Sequence, residues 1–345
     1  MPPTPTEHVL LARVARGYYL EDRSKSDIAD ELGISRFRVA RLLEAARREG
    51  VVSIEVVSPP GYDTDLSVRL QQRFGLTKAV VVNAEEDQPD ALRDQLGLVA
   101  ADVLHDVVGR DDVLGLAWAR SLRGIGHSAN RLPACPVVQL TGALPGPDGS
   151  DVLELVRRVT RASGGTPHVF YAPLVAPDAA SARTLRRQPE VARAAELASR
   201  VTVAAVGIGA WQAKLSTIFD AVEPEARRRA RELGAVGEIS GVLVDAAGRP
   251  LVTPLSRRII GVTGEQLREI RTVISVAYGR AKAVAVLAAV RGGLVNGLVT
   301  HAGLAEALLA AADAADLVGA AGPAGPADAA ASAVSTGLDA DVLVD

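Results

Sequence analysis

The fold of the N-terminal region is decided by Lys25–Val57, which has the sequence KSDIADELGISRFRVARLLEAARREGVVSIEVV. The spacing of its first apolar residues predicts one buried face of a short helix. Gly33 then allows a sharp turn with positive φ, and Ser35 is a favourable N-cap for a second helix. The inward stripe of that second helix is predicted to consist of Val39, Leu42, Leu43 and Ala46.

The side chains left on the outer side of the second helix are mostly basic. Between Ser35 and Glu49 there are five arginines and two glutamates, whereas the whole chain has a net charge of -3. In a helix-turn-helix, the N-terminal part of the second helix enters the major groove of DNA. We therefore expect operator DNA to contact Lys25, Ser26, Ser35, Arg36, Arg38 and Arg41. The alternative is an amphipathic hairpin with a solvated basic face, which the coincidence of turn, cap and arginines disfavours.

Flanking segments extend this pattern to a winged helix-turn-helix. The apolar residues between Val9 and Tyr18 predict a leading helix that closes a three-helix core. The alternation in Val51–Val57 predicts a half-exposed strand, as in a wing. Ser58-Pro59-Pro60-Gly61 ends this strand, because proline cannot continue a β-ladder. We predict a DNA-binding domain over residues 1–57.

Composition limits what the rest of the chain can be. The 345 residues suggest two domains, and 48% hydrophobic with 3% aromatic residues indicates a core of Val, Leu and Ala. The single cysteine, Cys135, excludes an intrachain disulfide, predicts a small buried side chain and fits a reducing cytoplasm. Neither a signal peptide nor an apolar run long enough for a bilayer is apparent, so we expect no membrane partner. The near-neutral charge restricts any DNA contact to a local surface.

Beyond Asp63, short apolar strands alternate with helices as far as about Leu317. Strands are predicted at 79–82, 113–116, 137–140, 201–208, 242–244 and 273–276, and helices at 91–108, 152–162, 223–233 and 280–290. This alternation predicts the α/β class, with a Rossmann-like, doubly wound and mostly parallel sheet. We predict an effector-binding and oligomerisation domain over residues 58–317. The Ala/Gly/Pro-rich tail, residues 318–345, receives no fold assignment beyond a short strand at its end.

Ligands of open α/β sheets bind beyond the carboxyl ends of the strands, so the residues that follow each strand are candidates. Arg120 and Ser121 open a predicted helix, where a cation and backbone N–H groups suit a phosphate or a polyol. Thr141 and Gly142 lie in a predicted tight, polar turn. Gly207-Ile208-Gly209 would let the backbone approach a ligand, although turn geometry alone explains such a pattern.

Two charged residues complete the candidate set. Glu238, in a predicted loop before a strand, either accepts bonds from sugar hydroxyls or is solvated. Lys282, on the first turn of a predicted helix, either pairs with a phosphate or extends to water. No nucleophile–base arrangement stands out, and the five histidines lack metal-ligand spacing. The sequence indicates no cofactor and no metal, and the domain is expected to bind a ligand rather than to catalyse.

The motifs carry a family resemblance when they are taken together. The N-terminal SKSDIADELGISRFRVARLLEAARREGVVSIEV is followed by GLAWARSL, VVQLTGAL, VGIGAW, GAVGEISG and KAVAVLAAVRGGLVNGLVT. This set resembles the SorC-type bacterial transcriptional regulators, a sugar-responsive group that includes deoxyribonucleoside and central glycolytic repressors. The resemblance covers roughly residues 7–316, with the motifs in the family's order; the set is specific, although any one motif alone is not.

The resemblance implies a second domain with the fold of sugar-phosphate isomerases and deaminases, retained as an effector sensor. It also implies a homotetramer whose affinity for operator DNA changes when a phosphorylated sugar or a related small molecule binds. Carried over by position, the implied effector pocket contains Arg120, Ser121, Thr141, Gly142, Glu238 and Lys282.

Three departures from the family pattern leave the ligand open. Some sugar-phosphate-binding members have paired threonines in place of Arg120-Ser121 and an arginine in place of Thr141. Many have Ala-Gly-Gly where this chain has Ala277-Tyr278-Gly279. A non-phosphorylated sugar or polyol is therefore an alternative, although Lys282 and Arg120 favour an anion.

Two other functions stay open from the sequence. The first is a sugar-phosphate isomerase or deaminase fused to a helix-turn-helix, which needs a base with a matched acid; Glu238 is the only candidate. The second is a sensor of a phosphorylated quorum-sensing signal, since the same family contains such sensors. The preferred prediction is a non-enzymatic, effector-controlled regulator of carbohydrate metabolism.

Overall fold

The computed structural model describes residues 4–54, 59–84, 86–144 and 152–320, without the side chains of residues 318–320. The chain divides into two compact units, residues 1–58 and 59–345. Most of the predicted tail, with the short strand at its end, lies outside the described residues. None of the helices in the described ranges combines the length and apolar character that a bilayer crossing needs.

The described residues of the first unit form three helices: α1 (Pro5–Tyr19), α2 (Lys25–Leu32) and α3 (Arg36–Arg48). The predicted turn is present, since Gly33 ends α2 with a φ of 64° and the Ser35 side chain accepts a bond from the Arg38 N–H. The three helices share one core, formed by Leu11, Val14, Ala15, Ile28, Ala29, Val39, Leu43 and Ala46. The leading helix and both inward faces predicted from the sequence are thus confirmed.

The segment after α3 differs from the predicted wing strand. Residues 51–54 form bends and irregular structure, and residues 55–57 lie outside the described ranges. Gly50 has a φ of 73°, and the Val52 N–H donates to the Ala46 carbonyl at 3.0 Å. These features hold the segment against the end of α3, so the alternating residues 51–54 do not extend into a strand.

The second unit is built on one sheet. Its strands are β1 (Lys78–Val82), β2 (Leu114–Leu116), β3 (Pro136–Gln139), β4 (Thr166–His168), β5 (Val203–Ala210), β6 (Gly237–Ile239), β7 (Val242–Val244), β8 (Thr272–Val276) and β9 (Gly297–His301). Seven of them pair in parallel in the order β1-β9-β8-β5-β2-β3-β4. The hairpin of β6 and β7 adds antiparallel strands to the carboxyl end of β5.

Helices cover both faces of this sheet. They are α4 (Thr64–Phe74), α5 (Pro89–Val107), α6 (Ile125–Ser128), α7 (Val152–Ser163), α8 (Ala179–Arg186), α9 (Pro189–Ala198), α10 (Thr217–Ala221), α11 (Pro224–Glu232), α12 (Gly264–Glu269), α13 (Ala283–Arg291) and α14 (Ala302–Ala320). Along β5, Ala204, Val206 and Ile208 share a core with residues of α13 and α14. Val203 and Ala205 instead share a core with residues of α5 and α7. Alternate residues of one strand thus face two helical layers.

The α/β class and the parallel sheet are confirmed, and each of the six predicted strands is present. β4, β6 and β9 were not predicted, and Glu238, assigned to a loop, lies in β6. α14 continues to Ala320, past the predicted domain end at residue 317. Alanine has the highest helix propensity, so the Ala-rich sequence sustains the helix beyond that point.

Candidate functional site

A cleft opens at the carboxyl ends of the adjacent strands β2, β5 and β8, with the β6–β7 hairpin beside it. Such an edge is where ligands bind in open α/β sheets. Of the six predicted effector-site residues, the cleft is lined by Arg120, Ser121, Thr141, Glu238 and Lys282. The fold therefore brings together side chains that are widely separated in sequence.

Gly142, the sixth predicted residue, is absent from the described lining. Its N–H donates to the Ile260 carbonyl at 2.8 Å, and a Cβ there would lie 2.5 Å from the Pro173 carbonyl oxygen. The stretch predicted as a tight turn is extended here, with Thr141 bridged to Gly261. Gly142 is thus required by close packing of two backbone segments, and it does not line this cleft as predicted.

Lys282 lies deep in the cleft, with 9% of its surface exposed. It ends the short 3-10 turn Arg280–Lys282 before α13, and its Nζ donates to the Ile208 carbonyl at 2.9 Å. Burial lowers the pKa of Lys282 to about 8, partly offset by the Glu238 charge and reinforced by Arg120 and Arg93. The alternative that Lys282 extends to water is therefore wrong.

The Lys282 ammonium also lies 4.9 Å from the centroid of the Tyr278 ring, which lines the same cleft. An ammonium has three N–H donors, and among the described residues only the Ile208 carbonyl is hydrogen-bonded to it. Donors are thus left for an acceptor within the cleft. The aromatic face and the ammonium together suit a ligand with an anionic or hydroxyl group.

Glu238 is also buried, with 6% of its surface exposed. One carboxylate oxygen accepts from the Ser216 hydroxyl and the other from the Gly241 N–H, each at 3.0 Å. Burial raises the pKa of Glu238, against the effect of these two bonds and of Lys282. A Cβ at position 209 would lie 2.3 Å from the Glu238 Oε1. The glycine at 209 therefore makes room for the carboxylate beside β5.

Ser240 was not predicted, yet it is the least satisfied polar residue of the described cleft lining. It has a φ of 50°, 4% of its surface is exposed, and its hydroxyl has no hydrogen-bond partner. With Gly241 it forms the two-residue turn between β6 and β7, where Ile239 pairs with Val242. A Ser-Gly dipeptide is a turn signal, which could have located a turn at this residue from the sequence.

The hydroxyls predicted to bind a ligand mainly hold the loops of the cleft. The Ser121 hydroxyl donates to the Val276 carbonyl at 2.7 Å, and the Thr141 hydroxyl accepts from the Trp118 N–H at 3.2 Å. Arg120 is half-buried at the cleft and makes a long, 3.5 Å contact with the Lys214 carbonyl. Arg120 therefore adds a second cation beside Lys282.

The loop that carries Tyr278 and Lys282 is held by residues outside the cleft. The Gly279 N–H donates to the buried His301 Nε2 at 3.1 Å, and the Arg280 N–H donates to Glu86 at 3.0 Å. Burial lowers the pKa of His301, which favours the neutral ring that can accept this bond. His301 is thus a positioning residue for the cleft.

In the first unit, every predicted DNA-contacting residue is exposed. Arg36, Arg38 and Arg41 lie in the first half of α3, and Lys25 begins α2 with its Nζ 5.6 Å from the centroid of the Tyr18 ring. Ser35 caps α3 through its side chain. These residues form a basic surface around the start of α3.

Comparison with known proteins agrees with this architecture. The Sugar-bind family model, which describes a sugar-binding domain, matches residues 58–310. The transcriptional regulator LsrR of Enterobacter sp. (strain 638) is 34% identical over 316 residues, covering 89% of this chain and 94% of the relative. The chain belongs to the SorC-type family of transcriptional regulators.

Other SorC-type relatives extend the likeness over both units. The deoxyribonucleoside regulator of Bacillus subtilis (strain 168) is 26% identical, covering 87% of this chain and 97% of the relative. The crystal structure of full-length sorbitol operon regulator SorC from Klebsiella pneumoniae matches with a TM-score of 0.67 and 24% identity. It covers 87% of this chain and 98% of that one. This structural likeness supports the fold.

The residues that line the cleft bear on the alternative that this protein is a sugar-phosphate isomerase or deaminase. Among the described lining residues of this SorC-type chain, Glu238 is the only carboxylate and no histidine is present. Both of its oxygens already accept hydrogen bonds from the protein. An isomerase or deaminase needs a base poised with a matched acid; in the described lining these roles could fall only to Glu238, whose oxygens are already bonded, and to Lys282, whose pKa is about 8.

Proposed function

We propose that this protein is a DNA-binding transcriptional regulator whose operator affinity is controlled by a sugar, polyol or sugar phosphate bound in the cleft. The observation that carries this proposal is that one cleft contains two incompletely bonded groups. They are the buried Lys282 ammonium, which uses one of its three N–H donors among the described residues, and the unpartnered Ser240 hydroxyl. Buried polar groups are normally hydrogen-bonded, so exceptions of this kind indicate a missing partner. A polyhydroxylated ligand with an anionic group would satisfy both.

For the DNA-binding part, we propose that residues 1–57 form a helix-turn-helix domain and that α3 enters the major groove. Residues 58–317 would then sense the effector, and residues 318–345 would form an appended tail. The support is the sharp turn at Gly33, the Ser35 cap and the exposed arginines at 36, 38 and 41. One helix contacts few base pairs, so we further propose pairing of subunits on DNA, within a tetramer.

The sensing test is a thermal-shift screen of sugars, polyols and their phosphates, with operator binding then measured with and without each hit. A ligand at about 100 times its Kd stabilises the protein by about 2.7 kcal/mol. A typical coupling changes operator affinity by about 5- to 150-fold. Lys282→Met should weaken the response, whereas Lys78→Met, a control at the amino end of β1, should leave it unchanged.

Two outcomes count against the proposal. If no compound stabilises the wild-type protein, or if a stabilising compound leaves operator affinity unchanged, the cleft does not control DNA binding.

For subunit pairing, light scattering at micromolar concentration, with and without operator, is expected to detect an oligomer. A monomer in both conditions would contradict that part.

A further inference from the structure

Phe37 is a large apolar residue that the fold leaves on the surface. It is the second residue of α3, and 70% of its surface is exposed. The buried stripe of this helix consists of Val39, Leu43 and Ala46. At 3.6 residues per turn, Phe37 and Arg41 lie one turn apart and point directly away from that stripe. The ring therefore makes no contribution to the three-helix core.

The surroundings of the ring are cationic. The Arg36 guanidinium carbon lies 5.4 Å from the ring centroid, and Arg38 and Arg41 are exposed on the same half of the helix. The first acidic residue of α3 is Glu44, about two turns further along. The positive end of the helix dipole adds to this charge. A partner for this surface must be anionic and must offer an apolar group at one position.

The major groove of DNA meets both requirements. Phosphates flank the groove, and the C5-methyl of thymine is the apolar group that it presents. We propose that Phe37 contacts a thymine methyl in the major groove and is a specificity-determining residue of the regulator. This inference rests on the proposed DNA-binding function. It assigns to Phe37 an apolar contact with a base, which differs from the polar contacts that the arginines can make.

The experiment begins with selection of bound sequences from a randomised pool of DNA duplexes by the full-length protein. Each thymine of the selected duplex is then replaced by uracil, which removes only the methyl group. We expect one thymine per half-site at which this replacement weakens wild-type binding about fourfold, the effect of one buried methyl-sized group. Phe37→Ala should bind the thymine and uracil duplexes equally well.

Two further variants separate this role from general effects. Val9→Ala truncates an exposed apolar residue of α1 and should retain the wild-type preference for thymine. Phe37→Ala should keep the wild-type salt dependence, whereas loss of a phosphate-contacting arginine lowers that slope by about one unit. Thermal unfolding checks that Phe37→Ala is folded, as its exposure predicts.

The outcomes distinguish this inference from the function on which it rests. If the wild-type protein selects no sequence from the pool, both fail. If it selects a sequence but is insensitive to every uracil replacement, DNA binding stands and the role of Phe37 is overturned. The same holds if Phe37→Ala retains the full preference for thymine, which would leave the ring to a protein partner.

Discussion

The buried ammonium of Lys282 should make the affinity for an anionic effector depend on pH. With a pKa of about 8, Lys282 is about 90% protonated at pH 7 and about 10% protonated at pH 9. If the anion binds only the protonated form, its Kd rises about tenfold over this range, equivalent to about 1.4 kcal/mol. A phosphate ester is already about 90% doubly ionised at pH 7, because its second pKa is about 6, so its own titration contributes little to this change in Kd.

The direction of the linkage gives a second readout. An anion raises the pKa of Lys282, so binding takes up a proton near pH 8. Calorimetry in two buffers of different ionisation enthalpy measures this uptake. Without ligand, the folded pKa is lower than the unfolded value of 10.5, so this residue favours folding more as pH rises from about 8 to 10.

Lys282→Met should abolish both the pH dependence and the proton uptake, while Lys78→Met should retain them. An uncharged sugar should show no comparable loss of affinity. If a phosphorylated effector binds the wild-type protein with the same Kd at pH 7 and pH 9, the reasoning is refuted. The ammonium would then not contact the anion.

Three substitutions test other parts of the structure. Ser240→Gly should raise the free energy of unfolding of the ligand-free protein by about 1 kcal/mol, because it removes a strained φ and an unpartnered buried hydroxyl. It should also weaken effector binding about tenfold; denaturant titration and calorimetry check the two effects, and unchanged effector affinity would contradict the role of Ser240. Gly209→Ala should destabilise the protein by about 2 kcal/mol, since its Cβ meets the Glu238 carboxylate, and a wild-type melting temperature would contradict this. Arg41→Ala should lower the salt slope of DNA binding by about one unit if Arg41 contacts a phosphate. Alternatively, it should relax specificity at one base pair if it contacts a base; filter binding that matches wild type on both counts would exclude both roles.

Local signals explain which parts of the fold could be predicted. Gly33 and Ser35 act on their immediate neighbours, so the turn and the start of α3 could be located from the sequence. The missed β6 is three residues long and begins with a glycine, and it exists because it pairs with the carboxyl end of β5. Such long-range pairing overrides local propensity and leaves little trace in sequence.

The same distinction between local and long-range signals applies to the cleft residues. Placement after a strand located Arg120, Thr141 and Lys282, because the carboxyl ends of parallel strands meet at one edge. Burial and hydrogen bonding were not predictable, since they depend on residues distant in sequence. Lys282 is bonded to Ile208, and the Ser240 hydroxyl is enclosed by segments that approach only in the folded domain.

The way in which the cleft is assembled has a consequence for when the protein can respond. Its walls come from segments that begin near Trp118 and end at Lys282, and the central strand β5 is joined on one side by β2 and on the other by β8. During synthesis, β8 and the Lys282 turn emerge from the ribosome late. A nascent chain that lacks them has no complete pocket, so effector cannot influence it. If the cleft is the effector site, as proposed, a response to the effector therefore requires that this part of the sheet has folded.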